Sequence, residues 1–489
     1  MSRYDVIIIG AGPAGIFSAL ELTRKNRLDV LILEKGKDID RRKCPAREGK
    51  CILCTPCSIT SGWGGAGAFS DGKLTLSPAV GGWLSEYVPE KDLRELIEYV
   101  DKVYQEYGAP KKVHGLDHFK VRELEHRAKM AGLTLVASPI RHLGTDRCFN
   151  TLKAMREDLA SRVEIRTGVN VERIITEDNR RITGVVTSKG EEIESDYVIA
   201  APGRDGADWL AAESRRLGLG VHNNAVDIGL RVEVAAAVME PLTRDLYEPK
   251  LLYCSRYFKD QVRTFCVNPH GLVSTETYGD VITVNGHSYA DRKTENTNFA
   301  LLVSTSFTEP FKEPIAYGKY IARLANLLGD GILIQRLGDL QMGRRSTPER
   351  IKEGTVDPTM PSATPGDLSF VLPFRYISDI LEMIETLDQL APGVNSRNTL
   401  LYGIEVKFYS SRVKLNSNLE TEIENLFAIG DGAGITRGLV QSSCSGVIVA
   451  RAILENGDKR RQKSKSYFRN SGSVVEMRQS GSGPEKSGP

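Results

Sequence analysis

An α/β fold is predicted by three features of this 489-residue chain: an opening βαβ unit, a short-strand meander that ends in a buried apolar strand, and a late strand with a glycine turn. The βαβ unit is Val6-Ile7-Ile8-Ile9, the turn Gly10-Ala11-Gly12-Pro13-Ala14-Gly15, the helical run Ile16 to Leu22, and a second apolar run Val30 to Leu33 closing on Glu34. The meander consists of residues 163–165, 171–175 and 182–186, and leads into Tyr197-Val198-Ile199-Ala200-Ala201. The late strand is Asn425 to Ile429, turning at Gly430-Asp431-Gly432-Ala433-Gly434.

Between these lie the other elements. Residues 36–82 form a loop of low periodicity that holds four cysteines and then Ser61-Gly62-Trp63-Gly64-Gly65-Ala66-Gly67-Ala68-Phe69-Ser70-Asp71-Gly72-Lys73-Leu74, so rich in glycine that close approach of backbone to a ligand is expected. Residues 91–160 read as helical, with Leu93, Leu96, Ile97 and Val100 on one face. Residues 208–399 mix strand runs such as 281–284 with helical runs such as 316–328 and 377–390, and Gly438 to Leu454 suits a helix. From Asn456 the chain is basic and then Ser-Gly-Pro-rich, a composition expected to stay disordered.

Composition is that of an ordinary enzyme, with 40% hydrophobic and 26% charged residues. Lys+Arg 65 against Asp+Glu 63 leaves a net charge of +2, which offers no global field for a polyanion. No signal-peptide pattern opens the chain and no run of about eighteen apolar residues is present, so a cytoplasmic protein without membrane attachment is expected.

Gly10-x-Gly12-x-x-Gly15 stands where a dinucleotide fingerprint must stand, after a strand and opening a helix, with the acid Glu34 nineteen residues beyond Gly15. Gly10 permits the tight turn, Gly12 leaves no Cβ before a diphosphate, and Gly15 lets helix and strand pack closely. The helix N-terminus offers free N–H groups to the diphosphate, and the carboxylate of Glu34 can accept from ribose hydroxyls.

Which dinucleotide follows from a resemblance. Ala428-Ile429-Gly430-Asp431-Gly432-Ala433 resembles the second FAD fingerprint of glutathione reductase-like flavoproteins, in which the aspartate binds the ribityl chain. Tyr197 to Arg204 resembles the strand and turn that return to the FAD domain there. With Gly64 to Leu74 and Gly430 to Gly438, the chain over residues 1–455 resembles the uncharacterised FAD-dependent dehydrogenases of that superfamily, a family of NAD(P)/FAD-dependent oxidoreductases.

The resemblance implies a Rossmann-like FAD-binding domain built from the discontinuous segments 1–80, 161–207 and 400–455. A helical insertion at 81–160 and an inserted α+β substrate domain at 208–399 complete the expected body, with a tail at 456–489. It also implies a cofactor set of Gly10, Gly12, Pro13, Ala14, Gly15, Glu34, Lys35, Gly65, Gly67, Gly203, Gly430, Asp431, Arg437 and Gly438. The helix after Gly434 would face the pyrimidine side of the flavin and stabilise negative charge there; Arg437 adds a charge to it or contacts phosphate or solvent.

Two departures limit the resemblance. The redox Cys-x4-Cys of glutathione reductase and its second, NADPH-binding glycine fingerprint are both missing, so NAD(P)H, if it is the donor, binds transiently. The aromatic hydroxylase pattern after the late Gly-Asp is not met either, which disfavours a monooxygenase.

Cys44, Cys51, Cys54 and Cys57 sit among Arg41, Arg42, Lys43, Arg47 and Lys50, a setting that favours thiolate. Metal or cluster ligands, redox thiols and incidental loop cysteines all remain open, and no metal is assigned. Cys444 reads as a small buried residue. His142, His270 and His287 read as hydrogen-bonded structural histidines, His142 also as a catalytic base.

The expected function is hydride transfer between a small-molecule substrate and flavin N5. The alternatives are a flavin monooxygenase and a flavin-containing protein that contacts nucleic acid through the basic stretch near Lys459 to Lys465, a stretch that a solvated tail explains more simply. Catalytic residues, electron donor and oligomeric state are not specified by these residues.

Overall fold

The computed structural model describes residues 2–475 apart from 26–27, 46–51, 53, 223, 279, 289–292, 306 and 308–312, with side chains through 457. Two sheets organise it. In the first, strands Glu164–Thr167, Val30–Glu34, Arg3–Ile9 and Glu192–Ala200 lie side by side in parallel. Leu426–Ala428 joins parallel to the C-terminal half of Glu192–Ala200. The N-terminal half of that strand pairs instead with Arg181–Thr187, which pairs with Val171–Glu177, both antiparallel.

Val6 to Ile9 and Val30 to Leu33 are continuous apolar runs because both faces of the sheet are covered and both bury their side chains. Helices Pro13–Thr23, Glu90–Glu106 and Thr145–Leu159 and the start of Leu439–Val475 supply that cover.

The second sheet has eight strands, in the order Thr364–Pro365, Leu333–Arg336, Leu400–Lys407, Val226–Ala235, Asn296–Thr305, Gln261–Asn268, Lys250–Cys254, Thr134–Val136. A hairpin of Leu272–Tyr278 and Val281–His287 lies over its middle strands. Helices Ala236–Leu246, Pro314–Gly329 and Phe374–Asp388 pack on it around a separate core.

The architecture is thus the expected α/β one, and three boundaries differ. Residues 400–407, assigned to the FAD-binding domain, lie inside the second sheet between Val226–Ala235 and Leu333–Arg336. Every residue of this strand is buried, which demands neighbours on both edges and cover on both faces. The helical insertion is split. Helix His118–Met130 turns Val121, Leu124 and Ala128 into the second core, and Thr134–Val136 is an edge strand of the second sheet, while Glu90–Glu106 and Thr145–Leu159 stay on the first. The last helix runs Leu439–Val475, past the residue where a disordered tail was expected. A helix already nucleated extends through Lys, Arg and Gln at small cost per residue. Among the described residues no helix is long and apolar enough to cross a membrane.

Candidate functional site

The first strand ends at Gly10, whose φ of 104° suits glycine and where a Cβ would stand 2.2 Å from Ala201 O. At Gly15 a Cβ would stand 2.1 Å from Gly10 O, so bare backbone is what lets helix Pro13–Thr23 close on its own turn. Gly12 caps that helix with ordinary extended backbone, and its Cβ would meet nothing nearer than Gly65 Cα at 4.0 Å. Steric packing explains two of the three glycines and leaves Gly12 facing open space. The first turn carries no acidic side chain, so its free N–H groups keep their positive potential.

The distant glycine turns converge here. A Cβ on Gly65 would lie 3.2 Å from Gly12 Cα, one on Gly67 3.4 Å from the Pro13 ring, and one on Gly430 3.1 Å from Ala14 Cβ. Gly203 is brought against Gly432, where a Cβ would approach Gly203 O to 2.6 Å, and Gly203 and Gly438 otherwise face open space. Ten members of the expected set thus gather where the first helix meets the last: Gly10, Gly12, Pro13, Ala14, Gly15, Gly65, Gly67, Gly430, Asp431 and Gly438.

Glu34 stands on the other side of the turn. Its carboxylate accepts from Ala11 N at 2.8 Å, Gly36 N at 2.7 Å and Gly62 N at 2.9 Å. It fastens three loops, and since Oε2 takes only one of these bonds, lone-pair capacity remains for a hydroxyl donor. Lys35 pairs with Asp205 at 2.5 Å, just beyond Gly203, and Ser61 also donates to Asp205.

At the far end Thr436 donates to Asp431 Oδ1 at 2.8 Å, and burial raises the Asp431 carboxyl pKa against the opposing pull of Arg204. The Arg437 guanidinium lies over the rings of Tyr409 and Trp83, at 3.1 and 4.1 Å, with Nε unpartnered and its pKa lowered by burial. These features fit a bound dinucleotide: a bare helix N-terminus for a diphosphate, a carboxylate with spare capacity on one side, and a buried carboxyl and an unpaired cation on the other.

What the motifs did not disclose is the face that the second sheet turns toward this junction. Lys73, with an 8% exposed side chain, pairs with Asp71 at 2.9 Å and Glu248 at 3.2 Å and donates to Asn268 Oδ1 at 3.0 Å. Asn268 donates to Asn298 Oδ1, which also accepts from Arg231 at 2.7 Å. Arg231 forms a two-pronged pair with Glu405 at 2.7 and 2.8 Å, both side chains at 0% exposure. Lys407 bridges Glu405 at 3.2 Å and Glu276 at 3.1 Å, and Glu276 meets Arg204 at 3.4 Å. A continuous polar chain therefore runs from the glycine-rich loop across the second sheet to the turn at Gly203. Its signal in the sequence was a set of charges inside apolar strands, Arg231 in Gly-Leu-Arg-Val-Glu-Val and Glu405 and Lys407 in Gly-Ile-Glu-Val-Lys.

In the cysteine loop, Cys51 lies outside the described residues, and Cys44, Cys54 and Cys57 are half-buried, with no disulfide among the described residues. Among the described residues no three His, Cys, Asp or Glu side chains gather to hold a metal. Arg42 is a strut, donating to the carbonyls of Ser58, Ile59, Trp63 and Gly65, so it shapes the glycine loop. Cys444 is buried, and His270 bonds to Thr294 O at 2.9 Å.

Comparison with known proteins gives two family matches, an FAD binding domain over residues 5–41 and the C-terminal domain of FAD-dependent proteins over residues 228–408. An uncharacterized protein of Clostridium beijerinckii is 29% identical, covering 92% of this chain and 81% of its own. The digeranylgeranylglycerophospholipid reductase of Methanosarcina mazei is 33% identical over 26% of this chain and 34% of its own. Among solved structures, L-proline dehydrogenase from P. horikoshii matches with a TM-score of 0.41 at 12% identity, over 93% of this chain and 94% of that one. The 3-ketosteroid-delta4-(5alpha)-dehydrogenase of Rhodococcus jostii RHA1 matches with a TM-score of 0.44 at 14% identity, over 92% and 97%. The first match covers the βαβ unit and ends in the loop that follows it, the second covers most of the sheet that carries the buried polar chain, and on these grounds the chain holds an FAD-binding domain and the C-terminal domain of FAD-dependent proteins.

Proposed function

We propose that this chain transfers a hydride between a small-molecule substrate and flavin N5, with FAD laid along the junction of its first and last helices. The observation that carries the reading is Gly12: no neighbour forbids a side chain there, yet it lies beside Gly65 at the mouth of a helix N-terminus. In this placement Glu34 accepts from the adenosine ribose, the amides after Gly12 hold the diphosphate with Gly65 and Gly67, and Asp431 holds the ribityl chain. Lys35 and Gly203 border the adenosine side through Asp205, and Arg437 and Gly438 border the flavin ring.

FAD supplies two-electron chemistry when bound. The chain's own contribution is position and charge: the N-terminus of the last helix and Arg437 favour negative charge on the ring, and the polar face of the second sheet lines the substrate side. The parallel strands with an antiparallel meander on one strand support placement in the glutathione reductase-like superfamily. NAD(P)H is the proposed transient donor.

The test is anaerobic. Purified protein is expected to be yellow, to bind FAD one to one, and to bleach with NADH or NADPH as with dithionite. Protein that stays colourless after reconstitution with FAD refutes the reading; bleaching by dithionite alone removes only the nicotinamide donor.

A further inference from the structure

Two residues in backbone conformations that disfavour side chains converge on the buried Lys73. Tyr247 follows helix Ala236–Leu246 at φ 64° and ψ −58°, and Glu248 N donates back to Leu246 O at 2.8 Å, closing a γ-turn of the rare hand. Cys266 sits at φ 46° in a bulge of strand Gln261–Asn268. Each such residue is strained and persists only because its surroundings impose it. Glycine would relieve that strain at either position, so what is kept is the placement of the side chains. The Lys73 ammonium lies 3.9 Å from Cys266 Sγ and 5.8 Å from the centre of the Tyr247 ring.

Lys73 itself is saturated. Asp71, Glu248, Val267 O at 2.6 Å and Asn268 Oδ1 take its protons, and it stands as a fixed positive charge with no free lone pair for nucleophilic attack. The Tyr247 hydroxyl is in a different position. It lies 3.0 Å from His142 Nε2 and 3.1 Å from Ser288 Oγ, which are 3.4 Å from each other, and Tyr247 is half-buried. His142 stacks on it at 4.4 Å and His114 at 5.0 Å. Lys73 and His142 are paired neighbours on adjacent strands, which ties the end of the glycine-rich loop to this cluster.

We propose that Tyr247 is the proton donor and acceptor for the substrate, with His142 and Ser288 as its route to solvent and Lys73 as the charge that steadies its phenolate. This rests on the FAD-dependent reading above. In the reducing direction bound reduced FAD would supply a hydride, with its electron pair and hydrogen, to one atom of a polarised double bond, a carbonyl, imine or conjugated alkene, leaving negative charge on the other atom. The O–H bond of Tyr247 breaks, its proton forms the new bond to that atom, and the phenolate regains a proton through Ser288 and His142. Oxidation runs the same steps backward. Burial raises the Tyr247 pKa and pushes His142 down to about 4, so at neutral pH the phenol holds its proton and the imidazole is free to pass one on. Lys73 opposes the rise in Tyr247, whereas Asp71 and Glu248 reinforce it.

The test uses the FAD-loaded full chain, reduced anaerobically with dithionite and mixed in a stopped-flow instrument with 1,4-benzoquinone, which needs a proton, or with ferricyanide, which does not. In Tyr247→Phe the ratio of quinone to ferricyanide rates should fall by about 10²–10⁴-fold, the usual contribution of a general acid, and the solvent deuterium effect on the quinone step should vanish. Tyr247 is one of several buried tyrosines whose phenols ionise above the ordinary range, so a phenolate absorbance titration should show the variant with one fewer of them than the wild type. Replacement of Tyr247 by 3-fluorotyrosine keeps the shape and lowers the phenol pKa, and it should change the ratio without removing the isotope effect. An unchanged ratio and isotope effect in a Tyr247→Phe protein that retains FAD overturns this role alone; failure of the wild type to hold FAD overturns the underlying reading.

Discussion

Replacing Gly12 separates folding from cofactor binding, because its neighbours leave room for a side chain. A Cβ at Gly12 meets no protein atom nearer than Gly65 Cα at 4.0 Å and the residue keeps an ordinary φ of −78°, so Gly12→Val should be accommodated. Its cost to the apoprotein is a weaker helix cap, a few tenths to about 1 kcal/mol. Its cost to binding is larger: the side chain occupies the approach to the first helix and displaces the diphosphate from the N-terminal amides. Two hydrogen bonds to a charged group at about 1.5–3 kcal/mol each give a loss of about 3–6 kcal/mol, or about 10²–10⁴-fold in the FAD dissociation constant.

The assay pairs flavin fluorescence titration with thermal unfolding of the apoprotein, and uses Gly10→Ala as the contrast. There a Cβ would stand 2.2 Å from a backbone oxygen at a φ of 104°, so the apoprotein itself should be destabilised. An FAD dissociation constant for Gly12→Val within threefold of wild type, or an apoprotein as damaged as Gly10→Ala, would refute the reasoning.

Two further predictions concern the second sheet and the Lys73 cluster. Arg231→Met leaves Glu405 at 0% exposure with only Lys407 as partner, and should cost about 3–5 kcal/mol in denaturant unfolding, whereas Arg231→Met with Glu405→Met should recover most of the loss. On acidification two windows should appear in the melting temperature. Burial lowers His142 to about 4 from an ordinary 6.5, so the unfolded chain takes up its proton first and stability falls between those values; His142→Asn should flatten that segment. Glu248 and Glu276 resist the upward push of burial because Lys250 and Lys73, and Lys407 and Arg204, hold each at about 2. The stability they contribute is present above the ordinary 4.5 and is lost as pH falls toward 2. A melting temperature flat from neutral pH to 3 would contradict both assignments.

The convergence of the glycine turns was legible because glycine and long apolar runs encode backbone geometry directly. Gly10 and Gly15 lie at contacts that admit no Cβ, Gly430 takes a φ of 73° that favours glycine, and Val6 to Ile9 needs cover on two faces. The polar chain was not legible, since its members come from residues 71 to 407 and meet only through sheet register, as when Arg231 is set beside Tyr402 and next to Glu405 across a bulge. The boundary at 400 was misplaced for a related reason: Leu400 to Lys407 has the composition of a buried strand, and which sheet buries it depends on pairings with residues 227–233 and 333–336. Tyr247 carried no signal, because a single φ near 64° leaves no periodicity.

The first helix rests on the last one so closely that a Cβ at Gly446 would strike Ala14 O at 2.2 Å, and Ser18 donates to Ala14 O and Gly446 O together. In a chain made from its N-terminus, the fingerprint at residues 10–15 therefore emerges more than four hundred residues before the surface that completes it. With FAD held at this junction as proposed, cofactor capture would be a late step of synthesis, after the second sheet has had time to form. Chains cut off before Gly446 would carry the nucleotide motif without the helix surface that packs on it, and loss of FAD retention in such chains would tie flavin content to completion of the last helix.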